Sequence, residues 1–370
     1  MRLKNIALRC ALLAAVLSAL LSCVNRNNIA EGENLTEHAN LLKLYDRGTY
    51  HEAVILNPDG KEVARYALVD RADSNQVDLP DGAVELKVPL TSVVMDSEVY
   101  ASALEELKAE DALKGMFDAG YVTSPVLKTK IKDGVVTDLG PDDSPDIEKL
   151  LELGPEAIFV SYYDGMQTRA VDKTGIPIIK MYDLQETTPL GRAEWLRFIG
   201  LLFGKGKEAN SIFKQVSADY EKEKESFAKN DKLPKVMTET IYEGVWYVPG
   251  GNSYQANLIK DAGGRYFKAD DNSSGSLNLS LEQVLDEAAD ADIWLIRTFD
   301  KNLDKERLGK ENPAYGQFQP FKTDRIYISH TTDSGLFREF PFHPERLLHD
   351  YILIFTNDTT SRLRYFRKME

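Results

Sequence analysis

The chain has 370 residues, of which 43% are hydrophobic and 28% charged, a composition typical of a soluble globular protein with one large or two ordinary domains. Its formal net charge of −14 argues against nucleic-acid binding, which usually leaves a basic footprint on the protein. Lysines and arginines are scattered rather than clustered, so an anionic membrane surface is an equally poor partner.

The first residues predict a signal peptide that ends at a lipidated cysteine. A basic start precedes an apolar run over 11–21 that is too short for a comfortable membrane span. The residues Leu20-Leu21-Ser22-Cys23 then resemble a bacterial lipobox, in which the cysteine is acylated and becomes the new N-terminus. The alternative is an ordinary secretory signal cut nearby. We predict a signal peptide over 1–22 and a mature chain that begins at lipidated Cys23.

Residues 23–50 are polar and without clear periodicity, which predicts a tether between the lipid and the folded body. From residue 51 the pattern becomes strand-like. The stretch "EAVILNPDGKEVARYALVD" has two apolar runs around a Pro-Asp-Gly turn, which predicts a β-hairpin. The stretch "AVELKVPLTSVV" adds one or two further strands.

Beyond this region strands and helices alternate, which predicts parallel α/β construction. "SEVYASALEELKAEDAL" and "DIEKLLEL" are helical, while "EAIFVSYY" and "GIPIIKMYD" are buried strands. A long helical zone follows, within which 207–229 would reach roughly 35 Å as one helix at about 1.5 Å per residue. We therefore predict a first lobe over 51–190 that includes the hairpin, connecting helices over 191–232 and a second lobe over 233–370.

An internal repeat supports two similar lobes. "IEKLLELGPEAIFVSY" (147–162) aligns with "LEQVLDEAADADIWLIR" (281–297) with one residue inserted in the second copy. The apolar positions of the helix and of the following strand coincide. Two similar lobes joined by one helix enclose a cleft between them.

Aromatic and cationic residues recur where successive strands end, and ligands of α/β sheets gather at the carboxyl ends of strands. These pairs are Tyr162-Tyr163, Tyr182-Asp183, Trp246-Tyr247, Arg297-Thr298 and His330-Thr331. A lone aromatic is more often part of the core, but the recurrence predicts an aromatic-lined ligand cleft. His330 has a capping or packing role as its alternative.

The stretch "YEGVWYVPGGNSYQANLIKDAGG" places two glycines before a helix, as a phosphate-binding turn would. It has no lysine to reach a phosphate. We interpret it as a tight turn, with Asn252 or Ser253 capping the helix and Gln255 reaching back. Such a turn would let Trp246, Tyr247 and Tyr254 project into the cleft.

No Walker loop, GxGxxG or GxSxG signature is present in the sequence, so we predict neither an enzyme nor a bound cofactor. Metal ligands are sparse, because His343 and His349 are six residues apart rather than the four that suit paired ligands on a helix. The acidic "GPDDSPD" stretch is better explained as a turn before a helix cap than as a calcium loop.

The order of these segments resembles the periplasmic substrate-binding proteins of ABC importers for iron–siderophores, haem and cobalamin. The similarity lies in the lipobox, "VPLTSVVMDS", "VVTDLGPDDSPDIEKLLELGPEAIFVSY", "TGIPIIKM", the long connecting helix and "LIKDAGG…LSLEQVLDEAADADIWLI". It covers the chain from about Val88 to the C-terminus. The hairpin before Val88 resembles Bacteroidetes-type lipoproteins of this family.

The resemblance implies two Rossmann-like α/β lobes bridged by a single long helix, with small hinge motion. It also implies a monomer that is lipid-anchored on the periplasmic side of a bacterial membrane and delivers a metal chelate to an ABC permease and ATPase. Family ligand contacts fall on Tyr162, Tyr163, Tyr182, Trp246 and Tyr247, and on the neighbourhood of Phe337 and Arg338.

Two further expectations concern charge. We expect a planar or bulky anionic chelate, with Arg297 as its cationic contact; the alternative is that Arg297 pairs with Asp300 or another nearby acid. The family docks its permease through one surface acid per lobe, and Glu148 matches the first. The second often follows "GG", where this chain has Arg265, which leaves Asp270 or Asp271 as substitutes.

Three readings of the function remain at this point. The first is an importer protein for a ferric siderophore or haem, which we favour over cobalamin. The second is a capture lipoprotein that works with an outer-membrane receptor. The third is an enzyme on the same bilobal scaffold, which would need cysteine ligands that the mature chain lacks.

Overall fold

The computed structural model of the chain describes residues 33–73, 77–163, 165–167, 169–227 and 233–370. Cys23, the predicted signal peptide and the first part of the predicted tether lie outside these residues. Within the described ranges, no helix combines the length and the apolar character that a membrane span requires.

The described chain begins with a five-stranded accessory sheet. Its strands lie side by side in the order β1 (Glu33–Asn34), β2 (Leu42–Asp46), β3 (His51–Leu56), β4 (Glu62–Asp70) and β5 (Val84–Val88). The predicted hairpin is present as the antiparallel pair β3 and β4, and β5 pairs with β4 in parallel. The hairpin is therefore the centre of a larger sheet.

The prediction of a tether as far as residue 50 is wrong for residues 33–50, because β1 and β2 lie there. Two buried carboxylates also hold the connection between these strands. Glu194 accepts hydrogen bonds from the backbone N–H groups of residues 37–39, and Glu186 accepts them from residues 40–41. Sequence periodicity could not show this, because the anchoring acids lie about 150 residues further along the chain.

The first lobe is a parallel sheet with helices. Its strands are β6 (Val93–Met95), β7 (Leu113–Met116), β8 (Thr137–Asp138), β9 (Ala157–Ser161) and β10 (Ile178–Met181), in the spatial order β10-β9-β6-β7-β8. Its helices are α1 (Glu98–Leu107), α2 (Pro125–Lys132) and α3 (Ile147–Leu153). The sheet core is built from apolar strands that are buried on both faces, as parallel sheets require.

In the part of the connection that the structure describes, three helices lie between the lobes. They are α4 (Pro189–Ala193), α5 (Trp195–Leu202) and α6 (Gly206–Phe227). Helix α5 is buried along most of its length, whereas α6 keeps one apolar stripe and a charged outer face. With 22 residues, α6 is about 33 Å long at about 1.5 Å per residue. The prediction of one long bridging helix is confirmed.

The second lobe combines a mostly parallel sheet with a small antiparallel one. The strands are β11 (Lys235–Thr238), β12 (Ile241–Tyr242), β13 (Val245–Pro249), β14 (Arg265–Tyr266), β15 (Ser276–Leu279), β16 (Ile293–Thr298), β17 (Ile326–His330) and β18 (Arg367–Lys368). The helices are α7 (Tyr254–Asp261), α8 (Leu281–Ala288), α9 (Lys305–Glu311), α10 (Gln319–Lys322), α11 (Thr331–Ser334), α12 (Leu336–Glu339) and α13 (Pro344–Thr356). The main sheet has the order β14-β11-β16-β17-β18, and β12-β13-β15 form the small sheet.

The internal repeat occupies the same place in both lobes. Strand β9 lies between β6 and β10, and β16 lies between β11 and β17, so that β7-β6-β9-β10 corresponds to β14-β11-β16-β17. The helix before each strand has a polar cap: Asp146 accepts a hydrogen bond from Lys149 N–H, and Ser280 accepts one from Gln283 N–H. The fold is therefore two related α/β lobes with an accessory sheet on the first.

The lobes also touch away from the connecting helices. His343, which lies between α12 and α13, bonds through Nε2 to Glu106 of α1 at 2.9 Å and through Nδ1 to Glu345 at 3.0 Å. Burial lowers the pKa of His343, but the two carboxylates outweigh it and raise the pKa to about 9. A charged histidine therefore ties the two lobes together at neutral pH.

Candidate functional site: an aromatic cleft between the lobes

A cleft of about 930 Å³ lies where the two lobes face each other. The first lobe contributes Tyr121, Leu184 and Gln185. The second lobe contributes the rest of the wall, including five aromatic side chains: Tyr242, Tyr247, Tyr254, Phe299 and Phe337. The volume and the mixture of rings with polar groups suit a ligand of several hundred daltons.

Exposed apolar surface is concentrated at this cleft. Of the twelve large hydrophobic side chains that are exposed in the described part of the chain, six line it. The most exposed are Tyr121 at 81%, Phe299 at 68% and Tyr242 at 67%. Soluble proteins seldom leave such a group of rings in water unless the surface binds something.

Strand alternation decides which residues of β13 reach the cleft. Tyr247 is 43% exposed and lines the cleft, whereas its neighbour Trp246 is fully buried. Trp246 stacks on Trp294 at 5.8 Å between ring centroids, and its Nε1 donates to the carbonyl of Thr238 at 2.9 Å. The prediction of Trp246 as a ligand contact is therefore wrong, because successive side chains of a strand point to opposite faces.

The double glycine after β13 allows two backbone segments to pass very close together. A Cβ on Gly250 would lie 2.3 Å from the carbonyl oxygen of Ser273, and a Cβ on Gly251 would lie 2.0 Å from that of Lys268. Ser253 caps α7 by accepting a hydrogen bond from Ala256 N–H at 3.1 Å. The interpretation as a tight turn with a serine cap is confirmed.

The helix that follows this turn places one further predicted residue in the cleft wall. Tyr254 stacks on Phe340 at 5.8 Å, and the guanidinium of Arg192 lies 4.6 Å from its ring centroid. Gln255 does not reach back to the cap; its side-chain amide donates to Tyr254 Oη at 3.0 Å. Tyr254 is thus a rigid part of the wall, and most of its ring is buried.

Arg297 lines the cleft but is already paired. Its guanidinium hydrogen-bonds to Glu239, and both side chains are about 85% buried. Burial lowers the pKa of Arg297, but the charge of Glu239 outweighs this and leaves the pKa above its ordinary value. The partner is Glu239 rather than Asp300, which pairs with Arg307 at 2.7 Å.

The predicted tyrosines of the first lobe lie outside the cleft. Tyr162 stacks on Tyr182 at 5.6 Å and has the ammonium of Lys180 over its ring at 4.7 Å. Tyr182 is only 3% exposed and belongs to the first-lobe core. Tyr163 is exposed but is absent from the cleft wall. The rings after β9 and β10 thus pack on each other.

Polar side chains at the same strand ends form a buried network. Asp96 accepts a hydrogen bond from Ser161 N–H at 2.6 Å, and Asp183 accepts from Tyr100 Oη at 2.8 Å and from Arg192 Nε at 3.0 Å. Burial raises the pKa of Asp96 to about 7. These groups stabilise the edge of the first-lobe sheet and the contact with α4 rather than facing the cleft.

Of the three remaining predicted contacts, one lines the cleft and two lie outside its wall. Phe337 lines the cleft, with its ring 6.3 Å from that of Phe299. Arg338, its neighbour on α12, instead lies 4.0 Å from Glu98 of the first lobe and contributes to the contact between lobes. His330 accepts a hydrogen bond from Arg367 Nη2 at 2.8 Å and is not part of the cleft wall.

Sequence reasoning missed several residues of the wall, namely Tyr121, Leu184, Tyr242, Phe299 and Glu239. Phe299 follows β16 directly, so the rule of strand ends could have found it. Tyr121 follows β7, a short strand that the sequence pattern did not reveal. Leu184 follows Tyr182 by two residues, which shows that the cleft begins slightly beyond the strand end. Among the described residues, no group of three acidic, histidine or cysteine side chains could hold a metal ion.

A cleft between two α/β lobes, with one long helix in the connection between them, defines a class of ligand-binding protein. The model of the periplasmic binding protein family matches residues 93–331 of the chain. The chain belongs to this family. Two relatives, both described as uncharacterized lipoproteins of Methanocaldococcus jannaschii, are 28% and 26% identical to it over 304 and 309 residues; the matches cover 79% and 81% of this chain and 72% and 78% of the relatives.

Solved structures share the fold. The triscatecholate siderophore-binding protein FeuA of Bacillus subtilis, solved with ferri-bacillibactin, has a TM-score of 0.60 and 20% identity, with 78% of this chain and 100% of FeuA covered. The periplasmic haem-binding protein RhuT of Roseiflexus sp. RS-1 has a TM-score of 0.59 and 18% identity, with 72% and 98% covered. The two-lobe architecture predicted from the sequence is confirmed.

Proposed function

We propose that this protein is the substrate-binding lipoprotein of an ABC importer, which captures a metal chelate in the cleft between its lobes and delivers it to a permease. The observation that carries the proposal is the cleft of about 930 Å³, which is lined by half of the large hydrophobic side chains that are exposed among the described residues. Membership of the periplasmic binding protein family, a class of substrate-binding proteins, supports it.

A chelate fits the chemistry of this wall better than a bare ion does. A bare ion needs several carboxylate, imidazole or thiolate ligands close together. The cleft instead offers broad aromatic faces, and Ser, Thr and Gln side chains such as Ser276, Thr298 and Gln185. Rings bury the organic shell of a chelate, while hydroxyl and amide groups orient its polar atoms. The siderophore and haem named for FeuA and RhuT are ligands of this kind.

Delivery requires a contact with the permease, which we assign to exposed acids on the repeated helix. Glu148 is the second residue of α3, and Glu282 is the second residue of α8, at the equivalent place of the repeat. Both side chains are exposed. Asp271 is a weaker choice than Glu282, because it lies outside the repeated helix and its carboxylate holds the turn of Gly251 and Ser273. Glu148→Lys and Glu282→Lys should each lower uptake while leaving chelate affinity nearly unchanged.

The anchor is proposed at Cys23. The lipobox residues precede it, and the two curated relatives are described as lipoproteins. Cys23→Ala should release the protein from the membrane fraction in an unprocessed or alternatively cleaved form. A variant that partitions with membranes as the wild type does would contradict the anchor while leaving the cleft unaffected.

The binding proposal is tested by titrating the protein with a ferric trishydroxamate, a ferric triscatecholate, haem and cobalamin. Tryptophan fluorescence is a suitable signal, because Trp294 donates its indole N–H to the carbonyl of Glu239 in the cleft wall. We expect saturable one-to-one quenching with at least one of these chelates. Absence of binding by all four would contradict the proposal.

A further inference from the structure

The charged groups of the cleft wall are already matched by partners within the protein. In the described part of the chain, three charged residues line the cleft: Glu239, Arg297 and Asp300. Arg297 pairs with Glu239, and Asp300 pairs with Arg307. The described part of the wall therefore presents two acids and one base, and that base is already paired.

The backbone conformation and the hydrogen bonds of Glu239 fix its position beside Arg297. Glu239 has a φ of 64°, a left-handed conformation that is uncommon for a residue other than glycine. Its N–H donates to the carbonyl of Leu295 at 2.9 Å, and its own carbonyl accepts the indole N–H of Trp294 at 2.7 Å. These two bonds hold the residue in place, so that its carboxylate reaches Arg297.

Two other features, the aromatic wall and the net charge of the protein, also disfavour an anionic ligand. The faces of aromatic rings carry partial negative charge and attract cations or neutral groups rather than anions. The protein also carries a formal net charge of −14, so its overall field repels anionic ligands before they reach the cleft. Neither feature favours a polyanionic ligand.

Given the proposed chelate-binding function, on which this inference rests, we propose that the cleft selects metal chelates without net negative charge, because Glu239 already neutralises Arg297. This reverses the sequence-based expectation of an anionic chelate with Arg297 as its contact. In a ferric trishydroxamate, three singly charged ligands cancel the charge of the iron, so the complex is neutral. In a ferric triscatecholate, three doubly charged ligands leave a trianion.

The test compares the affinities of these two chelates at one ionic strength. The wild type should bind the neutral trishydroxamate at least about tenfold more tightly than the trianion. The quantity compared is the ratio of the affinity for the trishydroxamate to the affinity for the triscatecholate. Glu239→Gln frees the cation of Arg297 and should lower this ratio roughly tenfold, which is the effect of one charge-assisted contact. Arg297→Gln leaves the carboxylate of Glu239 without its cationic partner and should raise the ratio.

Two controls separate this effect from folding and from overall charge. The double variant Glu239→Gln with Arg297→Gln keeps the wall uncharged at this position and should return the ratio to within about threefold of the wild type. Glu306 is an exposed residue of α9 that pairs with Lys310 outside the cleft. Glu306→Gln removes the same charge as Glu239→Gln does and should leave the ratio unchanged. Thermal unfolding of each variant reports whether it is folded.

The possible results are distinct. A wild type that prefers the trianion, or a ratio that Glu239→Gln does not move, would overturn charge selection while chelate binding stands. Failure of every chelate to bind the folded wild type would contradict the proposed function itself. The ordered series of ratios, from Glu239→Gln through wild type to Arg297→Gln, would establish the inference.

Discussion

In the first lobe Tyr162 directly follows β9, and its counterpart in the repeat of the second lobe is Arg297, the next-to-last residue of β16. Tyr162 packs against Tyr182 outside the cleft, whereas Arg297 lines the cleft beside Glu239. The same helix–strand unit therefore ends differently in the two lobes. Among the described residues, the first lobe contributes three to the cleft, and Tyr162 and Tyr182 at its strand ends pack on each other; the second lobe supplies most of the wall.

The strongest test of this difference lies within the second lobe, at two adjacent residues. Trp246→Ala should lower the free energy of unfolding by about 3–5 kcal/mol, because the ring is buried against Trp294, Tyr315 and Phe318. Tyr247→Ala should cost less than about 1 kcal/mol, since its side chain is exposed. Chemical denaturation measures both values, and similar losses would show that β13 does not separate core from cleft.

The next test concerns the first lobe, where a strand-end tyrosine belongs to the core. Tyr182→Ala should lower the free energy of unfolding by about 2–4 kcal/mol, because the ring is 3% exposed and stacks on Tyr162. The folded variant should bind ferric chelates within about twofold of the wild-type affinity. A large loss of affinity with little loss of stability would place Tyr182 in the site and make the two lobes alike.

A smaller effect is expected at the contact between the lobes away from the cleft. The pKa of His343 is raised from 6.5 to about 9 in the folded protein, so its contribution to stability is complete below about pH 6.5 and is lost as the pH rises through 9. Between pH 6 and pH 9.5 the wild type should lose on the order of 1–3 kcal/mol more stability than His343→Gln. Parallel pH dependences for the two proteins would contradict the assigned ion pair with Glu106.

Sequence patterns predicted the layout of the fold, because it depends on periodicity and on breaks between strands and helices. The long helix α6, the repeated units and the double-glycine turn follow from such local signals. The accessory strands β1 and β2 did not, because the carboxylates of Glu186 and Glu194 that hold their connection come from a distant segment.

The cleft was predicted in position but only partly in residues. Tyr247, Tyr254, Arg297 and Phe337 line it. Trp246, Tyr162 and Tyr182 instead pack against neighbouring rings, and Tyr163 is exposed outside the cleft. The carboxyl end of a strand specifies which edge of the sheet a residue reaches, but it does not specify where the side chain points. For Trp246 the direction depends on which face of the sheet its position in β13 points to. For Tyr162 it depends on the neighbouring ring of Tyr182. The Glu239 partner of Arg297 depends on a left-handed backbone conformation that no local motif marks.

The central claim is that the ligand binds in the interlobe cleft, and a matched pair of double variants tests it most directly. Tyr247→Ala with Phe299→Ala removes two exposed rings of the cleft wall, while Tyr162→Ala with Tyr163→Ala removes two rings outside it. Each is titrated in parallel with a ferric trishydroxamate and a ferric triscatecholate.

Burying one ring against a ligand contributes on the order of 1–3 kcal/mol. For whichever chelate binds the wild type, the cleft variant should therefore lose roughly 30-fold or more in affinity. The affinity of the variant that lacks the rings of Tyr162 and Tyr163 should remain within about threefold of the wild-type value. Equal losses in the two variants, or a larger loss in the first-lobe variant, would contradict the placement of the ligand in this cleft.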